Sequence, residues 1–198
     1  MPEPDGSIDR AFHLLFLGAW SAAKGALLLP RIAARIFRAD PRFRLTCAGV
    51  QVPAETVLAD FDPQDRPRLR VLPRYDRAEL PGILSGHGAL LFPSRAEGCS
   101  LAMLEAMAGG LMPITTRSGY AAELIVPGQN GFLAPADDVE GFVGPALGIA
   151  ADPGLALEIG RRARRSVLGL TWEALAGERL RVWESLLGGG GPRPMGRA

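Results

Sequence analysis

Short apolar runs alternate along the chain with longer stretches in which apolar residues recur every three or four positions. That order is expected when parallel strands are joined by helical crossovers. Five runs read as strands, at 13–17, 44–48, 69–72, 89–92 and 112–115. Four segments between and after them read as helices. The first covers 26–38; Pro30 fits only near its start, where the N–H groups of a helix lack intrahelical partners, and Asp40 with Pro41 stops it. A weaker helix follows near 53–61, another near 77–84, and a fourth at 101–108 closes on Gly109 and Gly110. Beyond residue 136 the pattern is helical alone, at 139–151, 154–167 and 172–187, with a tight turn at Gln129, Asn130 and Gly131 leading into a short extended piece before it. Thr171 is the expected N-cap of the last helix, with Glu173 in its first turn. Trp172, Leu175, Ala176, Leu180, Trp183 and Leu187 form one apolar stripe on it, expected to be core or interface. The predicted organisation is a tail at 1–10, one α/β domain over 11–187, and a disordered glycine- and proline-rich tail at 188–198.

Composition narrows the function more than the fold. With 198 residues and 47% apolar content, the chain suffices for one well-buried α/β core. The formal net charge is +1 and the charges are spread along the chain, so neither nucleic acid nor a strongly basic membrane face is expected as a partner. A small molecule or neutral polymer fits better. Cys47 and Cys99 are the only cysteines; with no zinc-ligand company, they predict reduced thiols and a cytoplasmic setting. The segment 1–10 has no apolar run of the secretory kind, and nothing approaches the roughly 18 apolar residues of a membrane span.

In a parallel sheet, ligands bind outside the carboxyl ends of the strands, so the loops after each strand carry the candidate chemistry. After the first strand come Gly18, Ala19, Trp20, Ser21, Ala22, Ala23, Lys24 and Gly25. Glycine permits a tight turn, and Lys24, the single lysine of an arginine-rich chain, either reaches an anion beside the following helix or is a surface residue without a role. The loop matches neither the P-loop nor the dinucleotide pattern G-x-G-x-x-G, which argues against a nicotinamide-dependent enzyme. After the fourth strand, Pro93 to Ser100 lead into an apolar helix whose one charge is Glu105. That helix is expected to be buried on nearly every face, and a buried carboxylate needs partners. Either an arginine such as Arg117 meets it, or it accepts hydrogen bonds from ligand hydroxyls. Glu97 lies eight positions earlier, so both carboxylates can face one crevice, with Ser100 and the N–H groups of Leu101 and Ala102 forming an anion site between them. Such a site suits a ligand with hydroxyls at both ends and phosphate between. Glu123, after the fifth strand, either caps its own surroundings or serves the crevice.

The run Pro93, Ser94, Glu97, Gly98, then Leu104 to Ala108 with Gly110, the spacing from Gly119 to Glu123, and Asn130 with Gly131 resemble in order and distance the donor domain of the group 1 retaining glycosyltransferases of the GT-B fold. The two glutamates separated by seven residues are similar to that family's hallmark, and the resemblance covers roughly 12–187. It implies a Rossmann-like parallel sheet sandwiched by helices with a helical C-terminal extension, one half of a GT-B fold. It implies a retaining hexosyltransferase in polysaccharide biosynthesis, with a nucleoside-diphosphate sugar as substrate and no cofactor or metal. Glu97 would bind the sugar hydroxyls and Glu105 the ribose. Lys24 would contact the diphosphate, helped by the amides after Gly98; Gly18, Cys99, Ser100 and Leu101 would complete the donor pocket, and Glu97 and Lys24 would be the catalytic pair. The sequence departs from the pattern at Ala19, where the family usually has arginine, leaving Arg95 or Arg117 to substitute, and at Tyr120, where a second glycine is usual. The family's acceptor-binding domain is not in this chain, so an acceptor-binding partner chain or self-association is expected. The alternative reading is a non-catalytic nucleotide-sugar-binding module or the partner subunit of a split transferase.

Overall fold

A computed structural model describes residues 7–187. Among them, six strands form one parallel sheet: β1 His13–Leu17, β2 Arg44–Ala48, β3 Leu69–Leu72, β4 Ala89–Phe92, β5 Met112–Thr116 and β6 Phe132–Ala134. Their spatial order is β3-β2-β1-β4-β5-β6. The chain therefore winds outward from β1 in one direction, returns, and winds outward from β4 in the other. This is the doubly wound Rossmann order, with its reversal between β1 and β4. The β1–β2 ladder registers five residue pairs, whereas β1–β4 registers Leu14 with Ala89 and Leu15 with Leu90.

The helices are α1 Leu29–Ala39, α2 Ala54–Ala59, α3 Leu80–Ser85, α4 Leu101–Ala108, α5 Ala121–Leu124, α6 Val139–Ala151, α7 Pro153–Val167 and α8 Trp172–Leu186. Side chains alternate across a strand, and the two sets meet different helices. Leu14, Phe16, Leu45, Cys47, Ala89, Leu91, Met112 and Ile114 share one core with buried residues of α1, α2, α6 and α7. The alternate residues Leu15, Leu17, Leu90 and Phe92 are equally buried on the other face, as are Leu84 of α3 and Met103 and Met107 of α4. In α1 the buried set is Leu29, Ile32, Ala33, Ile36 and Phe37, one helical stripe, with Arg31, Arg35 and Arg38 outside it. Burying that stripe, rather than intrinsic propensity, is what holds a helix of this length. Cys47 is buried in the first core, which pushes its thiol well above the usual cysteine range. Cys99 is free and exposed.

Some boundaries differ from the sequence reading for physical reasons. The segment before Leu29 is a turn, because Gly25 takes a left-handed conformation and its carbonyl accepts from the amides of Leu28 and Leu29. The helix expected at 77–84 splits into a one-turn 3-10 segment, Arg77–Glu79, and α3. Asp76 and Glu79 form a capping box there, and Pro81 sits in the first turn of α3, where its missing N–H costs nothing. Arg10, placed in the tail by the sequence pattern, is buried, and its guanidinium donates to the carbonyls of His87 (2.9 Å) and Gly110 (3.3 Å). Among the described residues, those up to Val167 belong to one compact unit and those from Leu168 to another. Taken by itself, α8 is N-capped by Thr171, whose Oγ1 accepts from Ala174 N at 3.1 Å. The expected tail at 188–198 lies outside the described residues. Among those described, no single helix is long and apolar enough to cross a membrane.

His87 is locked in one neutral tautomer. Its Nδ1 lies 2.6 Å from the carbonyl oxygen of Ile83, which can only accept, so Nδ1 carries the proton and Nε2 accepts from Thr46 Oγ1 at 2.8 Å. Burial, the largest influence, pushes the imidazole pKa down to about 4. The unfolded chain thus binds more protons than the folded one between pH 6.5 and about 4. The stability this protects is fully present above pH 6.5 and is lost as the pH falls towards 4. We expect acidification through that window to cost up to about 3 kcal/mol. Urea melts at stepped pH check this; His87→Gln should flatten the slope, and an unchanged slope would remove His87 as its source.

Candidate functional site

The sheet reverses direction between β1 and β4, and the loops after these two strands stand together at its carboxyl edge, where ligands bind in doubly wound folds. Lys24 comes from the first loop and Glu97 from the second, and the two meet: Lys24 Nζ is ion-paired to Glu97 Oε1. The pair is sheltered, with 33% of the Lys24 side chain and 12% of the Glu97 side chain exposed. Ser94 Oγ, in a fully buried residue, lies 2.6 Å from the same Glu97 oxygen and 3.1 Å from the Ala23 carbonyl. The ammonium also stands 5.8 Å from the Phe92 ring centroid.

Two glycines let the loops lie this close. Gly25 has φ of +85°, and a Cβ on it would clash with the backbone carbonyl of Pro93. Gly119, in the loop after β5, has φ of +49°, and a Cβ there would clash with the carbonyls of both Glu97 and Gly98. The loops are also sewn together: Arg95 N donates to Ala23 O at 2.9 Å and Tyr120 N to Gly98 O at 2.8 Å. The Glu97 loop is thus held between the loops after β1 and β5 by backbone contacts that only glycine permits.

Glu105 sits elsewhere on the same edge. It lines an open cleft of about 580 Å³ together with Gly18 after β1, Gly49 and Gln51 after β2, Arg74, Tyr75 and Arg77 after β3, and Ala102 of α4. Its side chain is 26% exposed, and Oε1 lies 3.4 Å from Arg77 Nη2. The cation beside Glu105 is therefore Arg77, not the Arg117 suggested by the sequence, and α4 is not buried on nearly every face. Met103, Ala106 and Met107 are buried, whereas Leu101 is exposed and Ala102, Leu104 and Glu105 are half-buried. The apolar composition of α4 did not reveal that its first turns rim a cleft. Burial, and next the charge of Glu105, raises the pKa of the Tyr75 phenol, as its place in the same cleft requires.

Of the other expected residues, Gly98 to Ala102 lie between Glu97 and Glu105 in the chain. Gly98 and Cys99 are exposed, and Ser100 is the buried N-cap of α4, its Oγ accepting from Met103 N at 3.3 Å. Leu101 and Ala102 open α4, where first-turn amides have no intrahelical acceptor. Gly18 has open space beside its α-carbon. Arg95 is held by Asp137, Nε to Oδ1 at 2.8 Å. Glu123 is exposed on α5. Asn130 ties its turn down, its Oδ1 accepting from Val126 N at 2.7 Å and its Nδ2 donating to Leu124 O at 3.0 Å. The sequence reading passed over Gln51, Arg74, Tyr75 and Arg77, although the rule that directs attention to strand-end loops applies equally to β2 and β3. A groove of similar size, about 570 Å³, lies along the outer face of α1. Its ion pairs, Arg35 with Glu140 and Arg38 with Asp62, are exposed. Among the described residues, no group of three or more His, Cys, Asp or Glu could hold a metal ion.

Residues 11–152 match the family model of the glycosyl transferases group 1. The chain is 28% identical over 194 residues to D-inositol 3-phosphate glycosyltransferase 1 of Catenulispora acidiphila, covering 93% of this chain but 46% of that protein. It thus spans about half the length of that relative. Among solved structures it is similar to a TarM mutant from S. aureus in complex with fondaparinux, alpha-GlcNAc-glycerol and UDP, with a TM-score of 0.79 at 18% identity over 92% of this chain and 37% of that one. It is also similar to the C-terminal domain of the glycosyl transferase group 1 family protein LpcC from Francisella tularensis. There the TM-score is 0.70 at 18% identity, and the match takes in 83% of this chain and 93% of that domain.

Proposed function

Because the chain belongs to the glycosyl transferases group 1, we propose that it binds a nucleoside-diphosphate sugar and supports transfer of a hexosyl unit to an acceptor hydroxyl with retention of configuration. The observation that carries the reading is the Lys24–Glu97 pair at the sheet's reversal, on the same sheet edge as a cleft holding a second carboxylate, Glu105. In this reading Glu97 accepts hydrogen bonds from sugar hydroxyls, and Glu105 accepts them from the ribose in the cleft beside Gly18. Lys24 and the first amides of α4 stabilise the diphosphate as it leaves, an electrostatic role that calls for no resident metal or other cofactor. The catalytic contribution of Lys24 is realised as negative charge gathers on the leaving group, so it lowers the barrier and does not merely bind the ground state. The acceptor's contacts belong to a partner, either an acceptor-binding chain or a second copy, and the apolar stripe of α8 with Trp172 and Trp183 suits such a role. The free thiols of Cys47 and Cys99 support the cytoplasmic setting of this chemistry.

A thermal-shift series with UDP, GDP, ADP, their common sugar conjugates and NAD tests the reading. A ligand that binds only the native state at 100 times its Kd stabilises it by about 2.7 kcal/mol. We expect one nucleoside diphosphate and its sugar conjugate to raise the Tm by several degrees, with NAD inert. A cooperative melt that none of the nucleotides moves would overturn the reading.

A further inference from the structure

We propose that Arg77 is itself a donor-binding residue, one that steadies Glu105 while presenting its remaining N–H groups to the phosphates of the ligand. The proposal rests on the reading of the cleft as a nucleoside-diphosphate site.

Charge is the first consideration. A nucleoside-diphosphate sugar brings two phosphates, and the lysine at the crevice already answers Glu97. Additional positive charge on this edge lies in the loop after β3, where Arg74 and Arg77 line the cleft and Glu105 is the one carboxylate in its lining. That lining carries one more cation than anions before anything binds. The offset favours a ligand that is itself anionic.

Geometry then separates the two arginines. Arg77 reaches across the cleft to Glu105, while Arg74 makes no ion pair with it. The contact engages one nitrogen of a cleft-lining side chain that is 88% exposed, so most of the guanidinium stays open to solvent and to an incoming ligand. Its backbone is fixed: Arg77 follows Asp76, the N-cap of the capping box, and begins the one-turn 3-10 segment. A rigid base with a free planar fork suits bidentate recognition of phosphate oxygens, which a lysine cannot reproduce. Across the cleft, the open space beside Gly18 allows a phosphate to approach the backbone at the end of β1. Ribose hydroxyls on Glu105 would place the attached phosphate beside the guanidinium that Glu105 already holds.

The test compares wild type, Arg77→Ala, Arg77→Lys and Arg74→Ala. UDP, GDP and ADP are titrated by calorimetry at two salt concentrations, and the corresponding nucleosides by ligand-observed NMR. We expect Arg77→Ala to raise the Kd for the preferred nucleoside diphosphate about 10- to 100-fold, to leave the nucleoside within about threefold, and to lower the salt dependence. Arg77→Lys should recover the salt dependence and only part of the affinity, and Arg74→Ala should cost less than Arg77→Ala. Equal losses for nucleoside and diphosphate with the salt dependence intact would reduce Arg77 to a support for Glu105 and overturn the proposal. An Arg77→Ala variant that binds as tightly as wild type would overturn it while leaving the donor site standing. A wild-type chain that binds none of the three diphosphates would overturn both.

Discussion

Gly119→Ala is expected to destabilise the fold by about 2–5 kcal/mol, the sum of a left-handed backbone penalty and a local overpacking cost, and to weaken ligand binding at the Glu97 loop. The new methyl group has nowhere to go: its neighbours are the carbonyls of Glu97 and Gly98, both backbone. Relief would require the loop to move away from the loop after β5, breaking the Tyr120 N to Gly98 O bond and shifting Glu97 from Lys24 and Ser94. Gly128→Ala is the control, since Gly128 has φ of +78° and open space around it. That variant should lose only the backbone part, about 1–2 kcal/mol. Urea unfolding measures both variants. Indistinguishable midpoints would show that close approach at Gly119 does not position the loop.

The second large effect divides the two glutamates. Glu105→Ala should weaken free nucleoside diphosphate and sugar conjugate alike, by about 10- to 100-fold, the scale of losing charge-assisted hydrogen bonds. Glu97→Ala should weaken the sugar conjugate alone and reduce transfer by about 100-fold or more. The Lys24–Glu97 pair sharpens the expectation. Removing Glu97 releases the ammonium, so free diphosphate should bind as well as before or somewhat more tightly at low salt. Calorimetry with both ligands on both variants decides the matter, and a parallel loss of both ligands in Glu97→Ala would end the assignment.

How far the sequence reached depended on whether a feature was local. The five strands from β1 to β5 announced themselves as short apolar runs bounded by turn residues, and each begins where that pattern placed it. β6, three residues long, is too short for alternation to register, and what marks it in the sequence is the tight turn at Gln129, Asn130 and Gly131, which leads into the expected short extended piece. Lys24, Glu97 and Ser100 could be placed because strand-end loops and helix starts are themselves local signals. Their pairing was another matter: Lys24 and Glu97 stand 73 positions apart, and only the strand order brings them together. The same holds for Glu105. Arg117 is one of several arginines the sequence offers as its partner, whereas β3 and its loop deliver Arg77 across the cleft. Arg10 was assigned to a tail because polar composition marks a terminus, but the carbonyls of His87 and Gly110 give its guanidinium reason to be buried. Composition reported which groups were available, and topology decided which of them met.

The narrow join between β1 and β4 has a further consequence. The strands β1 to β3 and β4 to β6 are two successive stretches of chain, and along the sheet they adjoin only where Leu14 and Leu15 face Ala89 and Leu90. Lys24 belongs to one stretch and Glu97 to the other. Whatever engages both side chains acts as a clasp across that join. Occupancy and cohesion of the sheet then become one coupled equilibrium, in which parting the halves costs more when the clasp is closed. Slowed hydrogen exchange at the amides of Ala89 and Leu90, on the join itself, would report that closure directly.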